Sequence, residues 1–409
     1  MKCLFVHQNF PGQYRHLAAH LAADPRHQVV FITQRSEGEL PGVRKMVYRP
    51  HRARSHSVHQ YLRETETAVI NAQSVARIAL DLKRAGFVPD LMLSHNGWGE
   101  IWYLKEVFPQ SPLLGYFEFF YRLSGADVGF DPNEPTAFDD GPRLRTKNLG
   151  NYLALDTVDA GLCPTHWQKS RYPTGYHDKL HVIHDGIDTS IVRPNPDAAL
   201  SLAQAGLTLS RADEVVTYVA RNLEPYRGFP SFMRSLPAVL AARPQALIVI
   251  VGGDEVSYGK RLPPGQTYRQ QLQAELGDAL DGRRVHFLGK VAYPTFLKIL
   301  QLSRVHVYLT YPFVLSWSVL EAMAAGCLVV ASNTAPVQEV ICDGDNGWLV
   351  DFFSPSEIAE RVIEGLKAGP EGFAAMRHNA RQTVIERYDL NTVCLPAQLG
   401  WLDRLRRRD

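Results

Sequence analysis

The stretch VHVYLTYPFVLSWSVLEAMAAGCLVVAS (305–332) decides the fold class of this chain. Its first six residues alternate apolar with more polar side chains, which predicts a strand. A loop with Pro312 follows, then a helical segment that contains Glu321 and is placed to end at Gly326, and then a buried strand over 327–331. The stretch is therefore a βαβ unit. Open α/β sheets bind ligands at the carboxyl ends of such strands, where a helix N-terminus offers free N–H groups to an anion.

The first half of the chain shows the same alternation of strands and helices. Buried apolar runs predict the strands, and amphipathic patterns predict the helices between them. The predicted strands are 2–8, 27–33, 89–95, 112–119, 160–164 and 180–188, and the predicted helices are 13–23, 59–85, 146–156 and one that starts at His166. Such an alternation indicates a parallel sheet that helices cover on both faces.

A second alternating series begins after residues 189–213, a mixed segment with Pro194 and Pro196 that predicts a domain linker. Its predicted strands are 214–220, 246–253 and 285–289, and its predicted helices are 229–241, 268–276 and 294–301, ahead of the βαβ unit. The sequence thus predicts the α/β class, with two facing Rossmann-like domains over 1–190 and 191–390. A C-terminal helix over 391–409 is expected to pack back toward the N-terminal domain. The cleft between the domains is the expected ligand site.

The composition is that of an ordinary globular protein, with 409 residues, 45% apolar side chains and a net charge of +2. This balance argues against a nucleic-acid partner. The charge is uneven, since residues 1–60 carry nine Lys and Arg against three acids, and a basic run with Arg404, Arg406, Arg407 and Arg408 ends the chain. Local excesses of this kind predict an anionic substrate or a peripheral membrane contact, although a solvated surface explains the tail equally well.

The cysteines and the hydropathy of the sequence indicate in which cellular compartment the protein is expected. The five cysteines are scattered and none has metal-ligand spacing, which suits a reducing compartment. No signal peptide is visible, and no apolar run reaches the ~18 residues that a membrane helix needs. We therefore expect a cytoplasmic protein whose contact with a membrane, at the inner face, is peripheral.

Arg221 and Arg227 are the first candidate ligand-binding residues. They lie in VARNLEPYRGF (219–229), just after the first strand of the second domain, which places both at the carboxyl edge of its sheet. A diphosphate needs fixed positive charge, and arginine supplies it with bidentate geometry. The alternative interpretation is two surface arginines on a loop.

The loop from Phe313 to Ser318 and the helix after it form the second candidate. Backbone N–H groups of the loop could hold the same diphosphate, and Glu321 could accept hydrogen bonds from ribose hydroxyls. Ser318 and Glu321 also have the spacing of a capping box, in which Glu321 binds a backbone N–H at the start of its own helix. The two residues alone leave both interpretations open. The concentration of anion-binding elements on one sheet edge favours the ligand role.

Two glycines lie at or just after the carboxyl ends of predicted strands. Gly253, in the GGD segment 252–254, could let a nucleotide approach the backbone closely. Gly12, in HQNFPGQ (7–13), could face the same cleft or form an ordinary turn. Neither glycine is strong evidence alone.

His95 and Glu118 each end a predicted buried strand of the first domain, and either could be a polar catalytic group in the cleft. A hydrogen-bonded structural histidine is the alternative interpretation of His95. Glu118 lies in an aromatic setting, GYFEFFYR (115–122), and could form a purely structural pair with Arg122.

Taken in order, these motifs resemble those of the GT-B glycosyltransferases of family 4, and the resemblance covers nearly the whole chain. VIHDGID (182–188), VARNLEPYRGF, IVGGD and FLGKV each resemble an element of that family. The most specific match is LEAMAAGCLVVAS followed by EVICDGDNGWLV (339–350). The resemblance implies a retaining, metal-independent enzyme without a cofactor, which uses a nucleotide sugar, with UDP favoured over GDP, and a glycan or lipid-linked acceptor.

The resemblance also implies roles for single residues. Arg221 and Arg227 would hold the donor diphosphate, with Arg227 in place of the usual lysine, and Glu321 would bind the ribose. The backbone of Val314, Leu315 and Ser316 would assist the two arginines, and Leu288 to Lys290 would lie near the base.

The chain departs from the family pattern at two positions. Phe313 stands where the family has the first acid of its E-x7-E pair, an acid that touches the sugar ring in relatives. Glu118 occupies the strand end at which many relatives carry a cleft histidine, so that either Glu118 or His95 takes the polar role there. Two other kinds of function remain open: a non-catalytic GT-B subunit that binds a nucleotide sugar or acts as a scaffold, and a GT-B nucleotide-sugar epimerase.

Overall fold

A computed structural model describes residues 1–202 and 206–406 and shows two compact α/β units. The first comprises Met1–Gly186 and the C-terminal segment from Asn391, and the second comprises Ile187–Leu390. Each unit contains one fully parallel sheet, which confirms the predicted fold class. No helix in the described chain combines the length and the apolarity that crossing a membrane requires.

The sheet of the first unit has seven strands in the order β3-β2-β1-β4-β5-β6-β7. The strands are β1 (Lys2–Val6), β2 (Gln28–Thr33), β3 (Val43–Val47), β4 (Leu91–His95), β5 (Leu113–Tyr116), β6 (Ala160–Cys163) and β7 (Leu180–Val182). The chain leaves β1 toward β2 and later returns beside β1 as β4, so the strand order reverses between β1 and β4. In open α/β sheets this reversal point is where ligands bind.

Helices lie between these strands along the chain. They are α1 (Arg15–Ala23), α2 (Arg63–Arg84), α3 (Leu104–Val107), α4 (Asp140–Lys147), α5 (Leu149–Thr157) and α6 (His166–Arg171). The long helix α2 has Glu64 and Glu66 in its first turn and Lys83 and Arg84 in its last, which complements the helix dipole. Its small and aliphatic face is buried in the core beneath the sheet.

The second unit repeats this architecture after an antiparallel hairpin, β8 (Ala199–Leu202) with β9 (Leu207–Ser210). Its sheet has the order β12-β11-β10-β13-β14-β15, and the order reverses between β10 and β13. The strands are β10 (Val215–Asn222), β11 (Leu247–Gly253), β12 (Val285–Phe287), β13 (Val305–Tyr308), β14 (Leu328–Ser332) and β15 (Trp348–Val350). The helices are α7 (Phe229–Ala242), α8 (Tyr268–Leu276), α9 (Tyr293–Leu302), α10 (Trp317–Ala324), α11 (Ala335–Gln338), α12 (Pro355–Lys367) and α13 (Ala374–Tyr388).

The last helix, α14 (Leu395–Arg406), packs against α1 in the first unit. Trp401 and Leu402 are buried in the core that β1 and β2 contribute to, and Gln398 donates a hydrogen bond to the His184 carbonyl at 3.1 Å. Arg407 and Arg408 of the predicted basic run lie outside the described residues.

Several predicted boundaries need correction. The segment 189–213, predicted as a linker, contains the β8–β9 hairpin, whose Leu202 and Leu209 are buried in a core of the second unit; its residues 203–205 lie outside the described chain. The predicted strand 112–119 ends at Tyr116, so Glu118 lies after the strand. The prediction 180–188 shortens to Leu180–Val182.

Candidate functional site

Three polar side chains meet at the reversal point of the first sheet. His7 follows β1 directly, His95 ends β4, and Glu118 lies two residues after β5. The rings of His7 and His95 have centroids 4.7 Å apart, and Nε2 of His95 lies 3.8 Å from Oε2 of Glu118. The structure therefore brings His95 and Glu118 together. It adds His7, which the sequence did not single out.

A chain of hydrogen bonds connects His7 to Glu118. Nδ1 of His7 accepts the Asn9 N–H at 2.9 Å, so in the neutral ring the proton is on Nε2, which donates to Oε1 of Gln13 at 2.6 Å. The amide nitrogen of Gln13 in turn donates to Oε1 of Glu118 at 3.3 Å. Gln13 was not predicted either, and it contacts Glu118 across 105 residues of sequence.

His95 is held in the same tautomer by its own loop. Its Nδ1 accepts the Gly97 N–H at 2.9 Å, which leaves the proton on Nε2, facing Glu118. Its ring stacks on Trp98 and on Tyr116, with centroids at 4.7 and 5.2 Å. The His95 side chain is 2% exposed whereas that of Glu118 is 37% exposed, so Glu118 is the member of the cluster that solvent or a ligand can reach.

Burial keeps both histidines neutral. It lowers the pKa of His7 to about 4, against a smaller opposing effect of the Gln13 hydrogen bond. Burial also lowers the pKa of His95 well below its usual range, and the neighbouring His7 lowers it further. At neutral pH the cluster therefore presents one carboxyl group supported by two uncharged rings.

Buried neutral histidines predict a loss of stability in acid. Burial lowers the pKa of His7 and His184 to about 4 and that of His306 to about 3, from the usual value of 6.5. The pKa values of these histidines are lower in the folded chain than in the unfolded chain. Below pH 6.5 the unfolded chain therefore binds more protons than the folded chain, and the free energy of unfolding falls as the pH drops toward 4. We expect each histidine to remove about 1.4 kcal/mol per pH unit in this range, measured by urea unfolding. The His306→Gln variant should show a shallower pH dependence, and replacing the exposed His56 by Gln should leave it unchanged. Equal slopes in both variants would contradict the assignment.

Gly12 and Arg122 have packing contacts in this region. Gly12 has φ +55°, and a Cβ there would lie 2.6 Å from Nε2 of His7, so the position requires glycine because the imidazole approaches the backbone. Arg122, the predicted structural partner of Glu118, donates its Nε–H to the Arg171 carbonyl at 2.8 Å and lies over the Phe120 ring. The carboxyl group of Glu118 faces Gln13 and His95.

In the second unit, Arg227 occupies the reversal point between β10 and β13. It is buried in a short 3-10 turn after β10 and donates to Oγ1 of Thr310 at 2.8 Å and to the Val314 carbonyl at 3.2 Å. Its guanidinium also lies over the ring of Tyr258. Arg227 is therefore a fixed cation that anchors the loop before α10, whereas Arg221 is exposed at the end of β10.

Two tyrosine hydroxyls bond to the segment around the start of α10, one at the loop before the helix and one at Glu321 within it. The Ser316 N–H donates to the Tyr308 hydroxyl at 2.9 Å, and the hydroxyl of Tyr293 donates to the Glu321 carboxyl group at 2.8 Å. The helix begins at Trp317 with Ser316 as its N-cap, so Ser318 lies inside the first turn and does not occupy the N-cap position. The capping-box interpretation is therefore wrong. Val314 and Leu315 are buried on the same loop.

Aromatic rings surround Phe313, the residue in place of the expected acid. Its ring contacts those of Tyr226 and Tyr258, at centroid distances of 5.8 and 5.0 Å. Tyr226 stacks on Tyr311, which in turn contacts Phe352. The position thus belongs to an aromatic cluster beside Arg227.

Gly253 ends β11 and lies close to Lys290, which follows β12 by three residues. Lys290 forms an ion pair with Glu255 at 2.9 Å, and a Cβ on Gly253 would lie 2.5 Å from Cε of Lys290. Next to them Glu224, another residue that the sequence did not single out, is fully buried and accepts three backbone N–H groups, from residues 257–259. Glu224 thereby fixes the loop that carries Tyr258. Within residues 1–202 and 206–406, no three or more His, Cys, Asp or Glu side chains form a group suited to a metal ion.

Models of known glycosyltransferase families match both halves of the chain. The model of the glycosyl transferase family 4 group matches residues 25–192, and that of the glycosyl transferases group 1 matches residues 206–383. The D-inositol 3-phosphate glycosyltransferase of Streptomyces scabiei is 26% identical over 258 residues, 60% of this chain and 55% of the relative. The phosphatidyl-myo-inositol mannosyltransferase of Mycolicibacterium smegmatis is 31% identical over 213 residues, 49% of this chain and 46% of the relative. The matched region thus spans about half the length of these curated relatives.

Solved structures share the fold over almost the entire chain. HepE of Anabaena, solved in complex with UDP and glucose, has a TM-score of 0.68 at 18% identity and covers 98% of this chain and 99% of its own. Sucrose-phosphate synthase of Thermosynechococcus elongatus has a TM-score of 0.74 at 17% identity, with coverages of 99% and 98%. At these identities the likeness concerns the fold. The family matches and the two parallel-sheet units together show that the chain belongs to the GT-B glycosyltransferases, with a family 4 group region followed by a glycosyl transferases group 1 region.

Proposed function

We propose that this chain is a retaining, metal-independent glycosyltransferase that moves a hexose from a nucleoside-diphosphate sugar to a hydroxyl of a glycan or lipid-linked acceptor. The observation that carries the proposal is the position of Arg227. It is a buried cation at the carboxyl edge of the second sheet, at the point where the strand order reverses. A guanidinium fixed in this way stabilises the negative charge that develops on a leaving diphosphate, without reorganisation during the reaction.

Further groups around Arg227 suit a nucleotide diphosphate. Arg221 adds an exposed cation at the end of β10, and the first turn of α10 directs N–H groups toward the same edge. The Ser316 N–H donates to the Tyr308 hydroxyl in this structure, so its use by a phosphate requires that hydroxyl to yield. Glu321 is half-buried, and its carboxyl group is suited to accept two ribose hydroxyls. Lys290, with the neighbouring Leu288, is proposed to lie near the base.

The relatives favour UDP and a phosphorylated or lipid-linked acceptor. HepE has been solved with UDP and with UDP-glucose, and two relatives are named for glycosyl transfer to inositol 3-phosphate and mannosyl transfer to phosphatidylinositol. The exposed arginines Arg49, Arg52 and Arg54 in the first unit match such an anionic acceptor or a membrane surface that carries it. We assign UDP over GDP on this basis.

Retention follows if the acceptor attacks from the face that the diphosphate leaves. The bond between the anomeric carbon and the phosphate oxygen breaks, the acceptor oxygen bonds to that carbon, and the acceptor proton passes to the departing phosphate oxygen. The electron pair of the broken bond stays on the diphosphate, where Arg227 and the start of α10 stabilise it. This route requires no protein nucleophile.

A nucleotide screen followed by product analysis tests the proposal. We expect UDP to raise the melting temperature more than GDP or UMP, and UDP to be released from a UDP-hexose in buffer with a chelator. The anomeric configuration of the transferred sugar, measured by NMR, should equal that of the donor. Binding of UDP without any release would indicate the non-catalytic subunit, and a changed sugar in recovered donor would indicate the epimerase. Inversion at the anomeric carbon would contradict the retaining mechanism.

A further inference from the structure

Helix α5 presents an apolar stripe on the surface of the first unit. Leu149, Tyr152 and Leu153 are 48%, 41% and 41% exposed. They lie at positions i, i+3 and i+4, so they share one face of the helix. Every other helix in the described chain has at most one large apolar side chain that is exposed to this degree. Such a concentration on one face indicates a contact with another molecule.

The buried side of α5 fixes the orientation of this stripe. Asn151 donates its side-chain N–H to the Phe119 carbonyl at 3.2 Å. Asn148, the residue before α5, donates to the Tyr121 carbonyl at 2.8 Å and accepts the Tyr121 N–H at 3.1 Å. The helix is thus attached to the segment that follows β5, and a partner would meet the stripe on a surface that is already ordered.

Two exposed charges flank the stripe. The other charged side chains of residues 140–159 form the ion pairs Arg143–Asp140, Lys147–Glu64 and Lys105–Asp159. Arg145 and Asp156 are exposed and form no ion pair in the part of the chain that the structure describes. Arg145 precedes Leu149 by four residues, and Asp156 follows Tyr152 by four. One charge of each sign therefore lies at each end of the stripe.

Arg145 belongs to α4, but the helical path continues from there into α5. Asn148, the single residue between the two helices, has an αR conformation. Its N–H donates to the Leu144 carbonyl at 3.1 Å, and its carbonyl accepts the Tyr152 N–H at 3.0 Å. The i→i+4 hydrogen-bond pattern thus passes the boundary, which keeps Arg145 on the side of the helix that carries Leu149.

A stripe with a basic end, an apolar centre and an acidic end is complementary to its own reverse. In an antiparallel pair of such helices about a two-fold axis, the apolar residues meet at the centre, and Arg145 of each copy faces Asp156 of the other. We propose that this face of α5 binds the same face of a second copy of this chain. The inference goes beyond the proposed function and does not depend on it.

Sedimentation velocity tests for the dimer. We expect a monomer–dimer equilibrium with dimer detectable at protein concentrations on the order of 100 µM, because a contact made by one helix pair is small. Leu153→Glu places a charge at the apolar centre and should weaken the dimer at least about tenfold. Ile191→Glu is the matched control, since it introduces the same acid at an exposed apolar residue of the second unit, and it should leave the equilibrium unchanged. A monomeric wild type, or equal effects of the two variants, would overturn the inference.

Arg145→Asp and Asp156→Arg test the two-fold symmetry of the pair. In a dimer of either variant like charges meet at both ends, so each variant alone should dimerise at least about tenfold more weakly than the wild type. In an equimolar mixture each end joins an acid to an arginine, so a dimer with one copy of each variant should form. Melting temperatures should stay unchanged, because both side chains are exposed. A dimer that neither variant weakens, or that mixing does not restore, would overturn the antiparallel arrangement.

Vesicle sedimentation separates a second copy from a membrane surface. An apolar stripe beside a basic residue could also contact anionic lipid. We expect the wild type and Leu153→Glu to bind phosphatidylglycerol-containing vesicles equally. If Leu153→Glu bound these vesicles more weakly and Asp156→Arg bound them more tightly, the face would be a membrane contact, and the assignment of a second copy would be wrong.

Discussion

Replacing Arg227 with alanine is expected to weaken UDP binding by about 100-fold or more. A buried guanidinium that meets a diphosphate makes charge-assisted bonds worth about 1.5–3 kcal/mol each, and losing two of them costs about 3 kcal/mol or more. Isothermal titration calorimetry with UDP measures the effect directly. Binding of uridine alone should change little, because the base and ribose contacts proposed for Lys290 and Glu321 remain.

The same substitution has a structural cost that must be separated from lost binding. Arg227 also donates to Thr310 and to the Val314 carbonyl, so alanine leaves a buried carbonyl unpaired and lowers the melting temperature. The Arg227→Lys variant keeps the charge without the bidentate fork and should bind UDP with intermediate affinity. Arg234→Ala, which removes a half-exposed ion pair with Glu275 in the same unit, is the matched control. A folded Arg227→Ala chain that binds UDP with wild-type affinity would refute the diphosphate assignment.

The fold could be predicted because its central strands are continuous apolar runs. β1, β4, β10, β11 and the βαβ unit around α10 are buried on both faces, and such runs stand out from sequence alone. The missed elements lack this signal. β3 reads VRKMV and has no buried residue, and α4 begins DGPR, with two residues that disfavour helix interiors. The β8–β9 hairpin does alternate, but it lies in a segment whose two prolines indicated a linker.

The sequence could predict at which sheet edge a site residue lies, but it could not predict which side chain it contacts. Arg227 lies after a strand of one parallel sheet and His95 ends a strand of the other, so topology alone places them at the ligand-binding edges. The link between Gln13 and Glu118 depends on which strands become neighbours and on side-chain direction, and no local pattern encodes either. His7 could have been found, since it is the first polar residue after a buried strand at the reversal point.

The capping-box error has a similar origin. Ser318 and Glu321 have the right spacing, but the Tyr308 hydroxyl binds the Ser316 N–H and helix α10 begins at Trp317. The helix therefore starts one residue before Ser318, directly after a residue that a tertiary hydrogen bond holds. Glu321, one turn into the helix, then projects to Tyr293 and to the proposed ribose position.

Glu118→Ala should lower kcat/KM for sugar transfer by about 100-fold and leave UDP affinity unchanged. The loss follows from removing an anion–hydroxyl hydrogen bond and leaving the amide N–H of Gln13 without its acceptor. UDP affinity should persist because every residue proposed to bind the diphosphate belongs to the second unit, whereas Glu118 belongs to the first. Steady-state kinetics with UDP-hexose, paired with calorimetry on UDP, measure both quantities.

Glu118→Gln separates the charge from the shape of this side chain. The amide keeps one oxygen for a hydroxyl, but its nitrogen opposes either the Gln13 N–H or the His95 N–H, so we expect it to lose nearly as much activity as alanine with less loss of stability. Glu118→Asp keeps the charge and shortens the reach, and should retain more activity than the amide. If the amide variant were as active as wild type, the negative charge would be irrelevant and the role of Glu118 would be limited to packing. We expect the Arg227 variants to change UDP affinity and the Glu118 variants to change turnover. This pair of results would assign diphosphate binding to Arg227 and a role in sugar transfer to Glu118.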